Sequence, residues 1–199
     1  EILEAKNGDE YISAQNLENS IEAYEYDAKI FSTQLYELIN RYNSGTKDFA
    51  LPLFTLKGKD KEQSAEIRGT ALFNNTKYRE FISKDKTIYL NILSDKVYNT
   101  ALAFDSGKGT NVALNIVKSK TKRKVKLEKG VPTFIINVKM DADIAEISGG
   151  VSSVMTSEQI EEIKRKGEEY VEKNIKSTID YMYQKYDSDA CGLTRLLYI

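Results

Sequence analysis

The segment "VPTFIINVKMDADIAEI", residues Val131 to Ile147, decides the fold because its polarity alternates residue by residue. The apolar positions are Phe134, Ile136, Val138, Met140, Ala142 and Ile144, and the polar positions are Asn137, Lys139, Asp141 and Asp143. Successive side chains of a strand point to opposite faces, so this segment has one face for a core and one for water. The pattern predicts a long strand of an antiparallel sheet.

The segments before it predict more strands and one short helix. We expect strands over residues 110–118 and 120–127, and a hairpin formed by residues 65–73 and 77–82 around the turn Asn74-Asn75. Ser83 and Asp85 suit the start of a helix over residues 84–93. Residues 9–43 have helical spacing with a break near residues 25–27, and a loop containing Pro52 follows.

The segments after it predict a long helix and a final turn. Ser157 is the expected N-cap, and an apolar stripe continues from Ile160 to Tyr186. Gly192 permits a turn, and the apolar residues after it suggest a short final strand. Strands and helices that do not alternate regularly indicate an α+β fold. We therefore expect an antiparallel or mixed sheet packed by N-terminal helices and a long C-terminal helix, as a single domain over residues 1–199 with residues 1–8 as a tail or linker.

The composition excludes several classes of function. The chain has no histidine, which removes the commonest general base and zinc ligand, and its single cysteine cannot form an internal disulfide. A net charge of −1 gives no reason to expect nucleic acid. No apolar run reaches the ~20 residues of a membrane span. The chain begins EILEAKNGDE, without an initiator methionine or a signal-like segment, so we expect it to be part of a longer polypeptide.

The strongest charge feature is "KSKTKRKVKLEK", residues Lys118 to Lys129. Its lysines alternate, so five of them share one face of a strand. The favoured interpretation is a solvated edge, where lysines block unwanted strand pairing. The alternative is contact with an anionic membrane or partner, at about 1 kcal/mol per lysine near anionic lipid. The candidate interaction patch comprises Lys118, Lys120, Lys122, Arg123, Lys124 and Lys126.

Three other motifs have simpler explanations. Asp141, Asp143 and Glu146 lack the spacing of a cation-binding loop and indicate a solvated strand face. "SGKGTN", residues 106–111, fails the phosphate-loop pattern and indicates a turn. Cys191 has acidic neighbours and no histidine to activate it, so we expect a buried, inert thiol.

Four motifs follow one another along the chain: "LPLF" at residues 51–54, "GTALF" at 69–73, "IAEI" at 144–147 and "QKYDSDACGL" at 184–193. In this order they resemble the C-terminal domain of the Ger(x)C family, the C subunits of bacterial spore germinant receptors. The family's closing pattern usually reads D-x-F-G-[FL]-G. Here Cys191 stands at the aromatic position and Thr194 at the last glycine, which puts the packing of that turn in question.

The resemblance implies a lipoprotein subunit on the outer face of the spore's inner membrane. Its lipid anchor would lie outside this chain, and its partners would be an A subunit and a transporter-like B subunit. The family offers no chemistry to transfer, so no catalytic residue, cofactor or metal ligand is assigned. We expect a non-enzymatic interaction domain. The alternatives are a small-ligand sensor or hydrolase-like extracytoplasmic domain that uses the acidic strand face, and a cytosolic scaffold unrelated to spores.

Overall fold

The structure is a computed structural model that describes residues 6–7, 10–11, 17–19, 21–22, 28–43, 45, 47–59, 63–107, 109–148 and 155–197. The helices are α1 (Leu35–Asn43), α2 (Lys84–Leu93) and α3 (Ser157–Asp180). The strands are β1 (Lys6–Asn7), β2 (Glu10–Tyr11), β3 (Phe49–Lys57), β4 (Ser64–Asn74), β5 (Lys77–Ser83), β6 (Thr100–Gly107), β7 (Thr110–Glu128) and β8 (Val131–Ser148). Residues 17–19 and 21–22 are also helical. The α+β prediction is confirmed.

The strands form two three-stranded sheets and one short ladder, and every described pairing is antiparallel. The sequence predicted one sheet, antiparallel or mixed. In the first sheet the order is β3-β4-β5, and β3 occupies the region where a loop was expected. Pro52 is tolerated there because β3 is an edge strand, where a missing N–H need not break the ladder.

Gly69 in β4 marks a bulge in this first sheet. The register against β3 shifts between Leu53, which faces Gly69, and Phe54, which faces Ile67. Gly69 has φ of +152°, and a Cβ at this position would lie 2.0 Å from the carbonyl oxygen of Ile82 on β5. Only glycine at position 69 therefore allows β4 and β5 to approach this closely.

The second sheet has the order β6-β7-β8 and is dominated by the β7–β8 hairpin. The predicted long strand is confirmed as β8, while the two strands expected over residues 110–127 are one continuous strand, β7. Val112 and Ile116 of β7 are fully buried. We call the side of the sheet that they occupy the inner face and the other side the outer face.

Helix α2 forms the centre of the core, with every residue from Thr87 to Leu93 buried. Inside the core, the Asn91 side chain donates hydrogen bonds to the carbonyl oxygens of Ala28 and Ile30, at 2.9 and 2.6 Å. These bonds hold residues 28–34 in a non-helical path, so the prediction of helix through this segment was wrong. Local periodicity could not reveal a constraint that comes from more than 60 residues away.

Helix α3 begins one residue earlier than expected. Thr156, not Ser157, is the N-cap, and its side chain and that of Gln159 form a reciprocal capping box. The helix continues as one π-helical turn over Tyr181–Lys185. After Gly192, residues Thr194–Leu197 form a 3₁₀ helix instead of the predicted final strand. Residues 1–5 and 8 of the expected tail lie outside the described residues, and the single-domain assignment stays a prediction.

Candidate functional site

The outer face of β7 and β8 carries a continuous array of lysines, which we call the lysine face: Lys118, Lys120, Lys122, Lys124, Lys126 and Lys139. All six residues are exposed. Lys120 pairs directly with Lys139 across the two strands, and Lys122 pairs with Asn137. Like charges directly opposite each other destabilise a sheet. These lysines therefore repel each other, and an external anion bound to the lysine face would reduce that repulsion.

Two carboxylates border the lysine face. Asp141 of β8 is the cross-strand partner of Lys118. Asp95, just after α2, accepts a 2.5 Å ion-pair contact from Lys120 and a 2.7 Å hydrogen bond from the backbone N–H of Thr121. Burial alone would raise the pKa of Asp95, but these two contacts outweigh it and lower that pKa below its usual value. Of the six lysines only Lys120 forms an ion pair with a residue that the structure describes; the other five are Lys118, Lys122, Lys124, Lys126 and Lys139.

Arg123 does not belong to the lysine face, although the sequence grouped it there. It is half-buried on the inner face, where its guanidinium donates a 2.8 Å hydrogen bond to the carbonyl oxygen of Cys191. The alternation of β7 that brings the lysines together also turns Arg123 to the other side. A shallow depression of about 370 Å³ on the lysine face instead includes Asn137 and Lys139 of β8, which were not part of the predicted patch.

The acidic residues of β8 are exposed and do not converge. Asp143 is opposite Asn115, and Glu146 is opposite Ala113. Within the described ranges, no group of three or more histidine, cysteine, aspartate or glutamate side chains is placed to hold a metal ion. Residues 106–107 and 109–111 of "SGKGTN" lie where β6 and β7 meet, and the N–H of Gly107 donates a 2.7 Å hydrogen bond to the Asp105 carboxylate. Lys108 lies outside the described residues.

Residues 187–194 form a closing loop that is fixed to the core by buried carboxylates. Asp189 is 6% exposed, and its carboxylate accepts hydrogen bonds from the backbone N–H groups of Leu193 and Thr194 at 2.7 and 2.9 Å. The hydroxyl groups of Tyr183 and Thr194 also donate to it. A carboxylate that accepts several hydrogen bonds in this way strongly stabilises a turn.

The backbone of the closing loop is satisfied by residues distant in sequence. Asp48 is buried and its carboxylate accepts from the N–H groups of Asp189 and Asn75, each at 2.8 Å. The Arg41 guanidinium donates to the carbonyl oxygen of Ala190 at 2.7 Å. Burial lowers the pKa of Arg41, although nearby Cys191 and Asp189 act in the opposite direction. The sequence showed no signal for this network, because its members are separated by more than 140 residues.

Cys191 lies inside this network and is 2% exposed. Its sulfur is 3.5 Å from the Tyr183 hydroxyl and 3.9 Å from the Asp189 carboxylate. Burial, followed by the charge of Asp189, raises the pKa of the thiol to about 11. The thiolate is the nucleophilic form, so this environment makes Cys191 a poor nucleophile. Thr194, which stands where the closing pattern usually has its last glycine, fits this turn because its N–H and hydroxyl both donate hydrogen bonds to Asp189.

The described helices include none with the length and apolarity needed to cross a bilayer.

Comparisons with known proteins agree with the fold and with the resemblance seen in the sequence. The family described as "Spore germination B3/ GerAC like, C-terminal" matches residues 68–199. A curated relative, "Spore germination protein B3" of Bacillus subtilis (strain 168), is 27% identical over 140 residues, which is 69% of this chain and 36% of the relative. The solved structure titled "Crystal Structure of the GerBC protein" superposes with a TM-score of 0.67 at 20% identity, covering 85% of this chain and 55% of that chain.

The chain thus spans about a third of the curated relative and about half of the solved chain. The solved structure confirms the fold, and the family match covers more than half of this chain, including the whole segment from β5 to the closing loop. The resemblance inferred from the sequence is confirmed: the chain belongs to the spore germination B3/GerAC-like C-terminal family.

Proposed function

We propose that this chain is a non-enzymatic domain of a spore germinant receptor C subunit, acting in germination through contacts with other proteins and with the membrane surface. Family membership and the name of the B. subtilis relative support a role in germination. The exposed lysine face and the inert environment of Cys191 support a binding role. The acidic face that a sensor or hydrolase would use is dispersed, so we do not propose that alternative.

We extend this proposal to the receptor context that the family resemblance implies. The partners are an A subunit and a B subunit of the receptor. The full-length protein is held by an N-terminal lipid anchor on the outer face of the spore's inner membrane. In that setting the domain works close to an anionic bilayer.

The lysine face is the observation that carries the membrane contact. Lys118 and Lys126 are eight residues apart on one strand, a span of about 27 Å at the usual rise. No described helix covers this outer face, and five of its six lysines have no described ion-pair partner. Each lysine near an anionic bilayer contributes about 1 kcal/mol, and the contribution falls as salt screens it.

The test compares two triple variants. The first replaces Lys122, Lys124 and Lys126 with glutamine, and the control replaces the exposed Lys59, Lys77 and Lys173 with glutamine. The full chain is sedimented with vesicles of phosphatidylglycerol and phosphatidylcholine at low salt. Losing three lysines should weaken vesicle binding by about a hundredfold, whereas the control should bind as the parent does.

The same substitutions are then made in the full-length protein, and receptor assembly and germination are measured. We expect the lysine-face variant, and not the control, to impair them. Equal vesicle binding by both variants, or normal germination with the lysine face removed, would exclude this surface from the function.

A further inference from the structure

A long apolar groove lies on the inner face of the second sheet, between α3 and β8. Its volume is about 930 Å³. One wall is an i, i+4 row on α3, and the other is the apolar side of β8. The row comprises Ile163, Gly167, Val171, Ile175 and Ile179, and the β8 wall comprises Phe134, Ile136, Val138, Met140, Ala142 and Ile144. None of these six β8 residues is fully buried by the residues that the structure describes.

The position of α3 explains why the groove is open. At Gly167 the helix passes so close to the sheet that an added Cβ would be 3.4 Å from Phe104 of β6 and 3.6 Å from Leu114 of β7. Tyr170 stacks on Phe104 with ring centroids 5.5 Å apart. A helix about 10 Å wide covers roughly two strands spaced about 4.8 Å apart. Because α3 lies over β6 and β7, the described elements leave the apolar face of β8 open to a second helix.

The rim of the groove has a regular charge pattern. Lys164, Glu168, Glu172 and Lys176 are each four residues apart on α3 and line the groove beside the apolar row. All four are exposed. A neighbouring helix whose flank has the order acid-base-base-acid would meet an opposite charge at each of these positions. Since the order on α3 is the same in both directions, the match holds for a parallel or an antiparallel helix.

We propose that the groove binds an amphipathic helix of a partner protein, with an apolar stripe against β8 and an acid-base-base-acid flank against α3. Ile160, which also lines the groove about one turn before the row, and Ile179 at the end of the row are separated by about 28 Å of helix. The occupant is therefore a helix of about five turns. This inference rests on the proposed role as an interaction domain and names one surface and one kind of partner for it.

Two other occupants fit the groove less well. A second copy docked across a two-fold axis centred on the row would place Lys164 against Lys176 and Glu168 against Glu172, so like charges would meet. A bilayer would have to accept the charged rim in its hydrocarbon region, which is costly. The lysine face is also on the opposite side of the sheet, so a membrane bound there leaves the groove facing away.

The test uses two labelled helical peptides of five to six turns with identical composition and the same Leu/Ile stripe. One has the flank order Glu, Lys, Lys, Glu, and the other Lys, Glu, Glu, Lys. Fluorescence anisotropy with the full chain should show the first peptide binding about tenfold more tightly at low salt, with the difference shrinking as salt is added. The double substitution Glu168→Lys and Glu172→Lys should abolish the preference, because all four rim charges are then positive and each peptide meets two opposite and two like charges.

A matched pair of variants tests the location. Ala142→Arg places a bulky charge in the groove and should abolish binding, while Ala103→Arg makes the same change at an exposed alanine of β6 and should not. Circular dichroism confirms that both variants fold. Equal affinity for the two peptides, or binding that survives Ala142→Arg, would overturn the proposal. So would a dimer that only Ala142→Arg dissociates in sedimentation velocity, or a photo-crosslink from position 142 to residues 1–27 of the same chain.

The two proposals fail separately. Substituting the lysine face should leave peptide binding unchanged, and Ala142→Arg should leave vesicle binding unchanged. Loss of one activity without the other identifies which surface was assigned wrongly.

Discussion

Replacing Asp189 with asparagine exchanges one buried carboxylate oxygen for an NH₂ group in the middle of the closing loop. One oxygen of Asp189 accepts from the N–H of Leu193 and the hydroxyl of Tyr183, and the other accepts from the N–H and hydroxyl of Thr194. The hydroxyl groups can rotate, but a backbone N–H cannot. Whichever way the asparagine is oriented, its NH₂ group faces one backbone N–H, and that donor loses its acceptor.

The cost follows from these bonds. A buried donor left without an acceptor costs about 1–3 kcal/mol, and the remaining bonds lose the strength that an ionised acceptor gives them. Removing a buried charge recovers part of this, because the carboxylate no longer has to be desolvated. We expect Asp189→Asn to lower the free energy of unfolding by about 2–4 kcal/mol, a large fraction of a typical domain's 5–15 kcal/mol.

The control is Asp187→Asn, the same chemical change two residues away. Asp187 is exposed and has φ of +49°, a conformation that asparagine adopts readily. This variant should remain within about 0.5 kcal/mol of the parent. Urea unfolding followed by far-ultraviolet circular dichroism gives both values at a common slope.

A second readout is the reactivity of Cys191 toward a thiol reagent. In the parent the thiol is buried and its raised pKa disfavours the thiolate, so reaction should require opening of the loop. Asp189→Asn should accelerate labelling in proportion to its loss of stability. If Asp189→Asn is as stable as the parent, or if Asp187→Asn is equally destabilised, then the Asp189 carboxylate does not fix the closing loop.

Two further predictions concern the backbone and pH. Gly69→Ala should destabilise the chain by about 3 kcal/mol or more, because the φ of residue 69 is unfavourable for alanine and the new methyl group would overlap a backbone carbonyl. Gly167→Ala, by contrast, should stabilise α3 by about 0.5–1 kcal/mol. Urea midpoints compare the two variants, and equal effects on stability would contradict this prediction. Asp95 has a lowered pKa in the folded chain, so its contribution is present above the usual value of 3.8 and is lost as the pH falls through the lowered value. Asp95→Asn should therefore be less stable than the parent near about pH 6 and equal to it in strong acid. If the stability difference persists in strong acid, or if Lys120→Gln does not reduce it at about pH 6, the ion pair between Asp95 and Lys120 is not its cause.

Local pattern was enough to predict the elements that bury one regular face. The alternation of β8, the hairpin of β4 and β5, and helices α2 and α3 all follow from spacing within the segment itself. The lysine face was predictable for the same reason, since Lys118 to Lys126 alternate along β7.

Features that depend on distant partners could not be predicted from local pattern. Pro52 suggested a loop because sequence does not reveal that its strand is at an edge. Residues 28–34 suggested a helix because the amide of Asn91, which holds their carbonyl groups, belongs to another element. The role of Asp189 depends on a turn that brings the chain back to α1 and β4. Nothing in the sequence next to Asp189 therefore distinguishes it from an ordinary solvated acid.

The two proposed binding surfaces are the two faces of one hairpin, so their relative orientation depends on how that hairpin is held. On its inner face, Arg123 bonds the closing loop at Cys191, and the Thr121 hydroxyl bonds the carbonyl oxygen of Ile92 at the end of α2. Both anchors are on β7 between positions of the lysine face. A variant that loosens the closing loop should therefore weaken membrane and helix binding together, whereas a surface variant should weaken only one. If the hairpin is a rigid spacer between membrane and partner, Asp189→Asn should weaken both membrane binding and helix binding. Ala142→Arg should then weaken only helix binding, and the lysine variants only membrane binding.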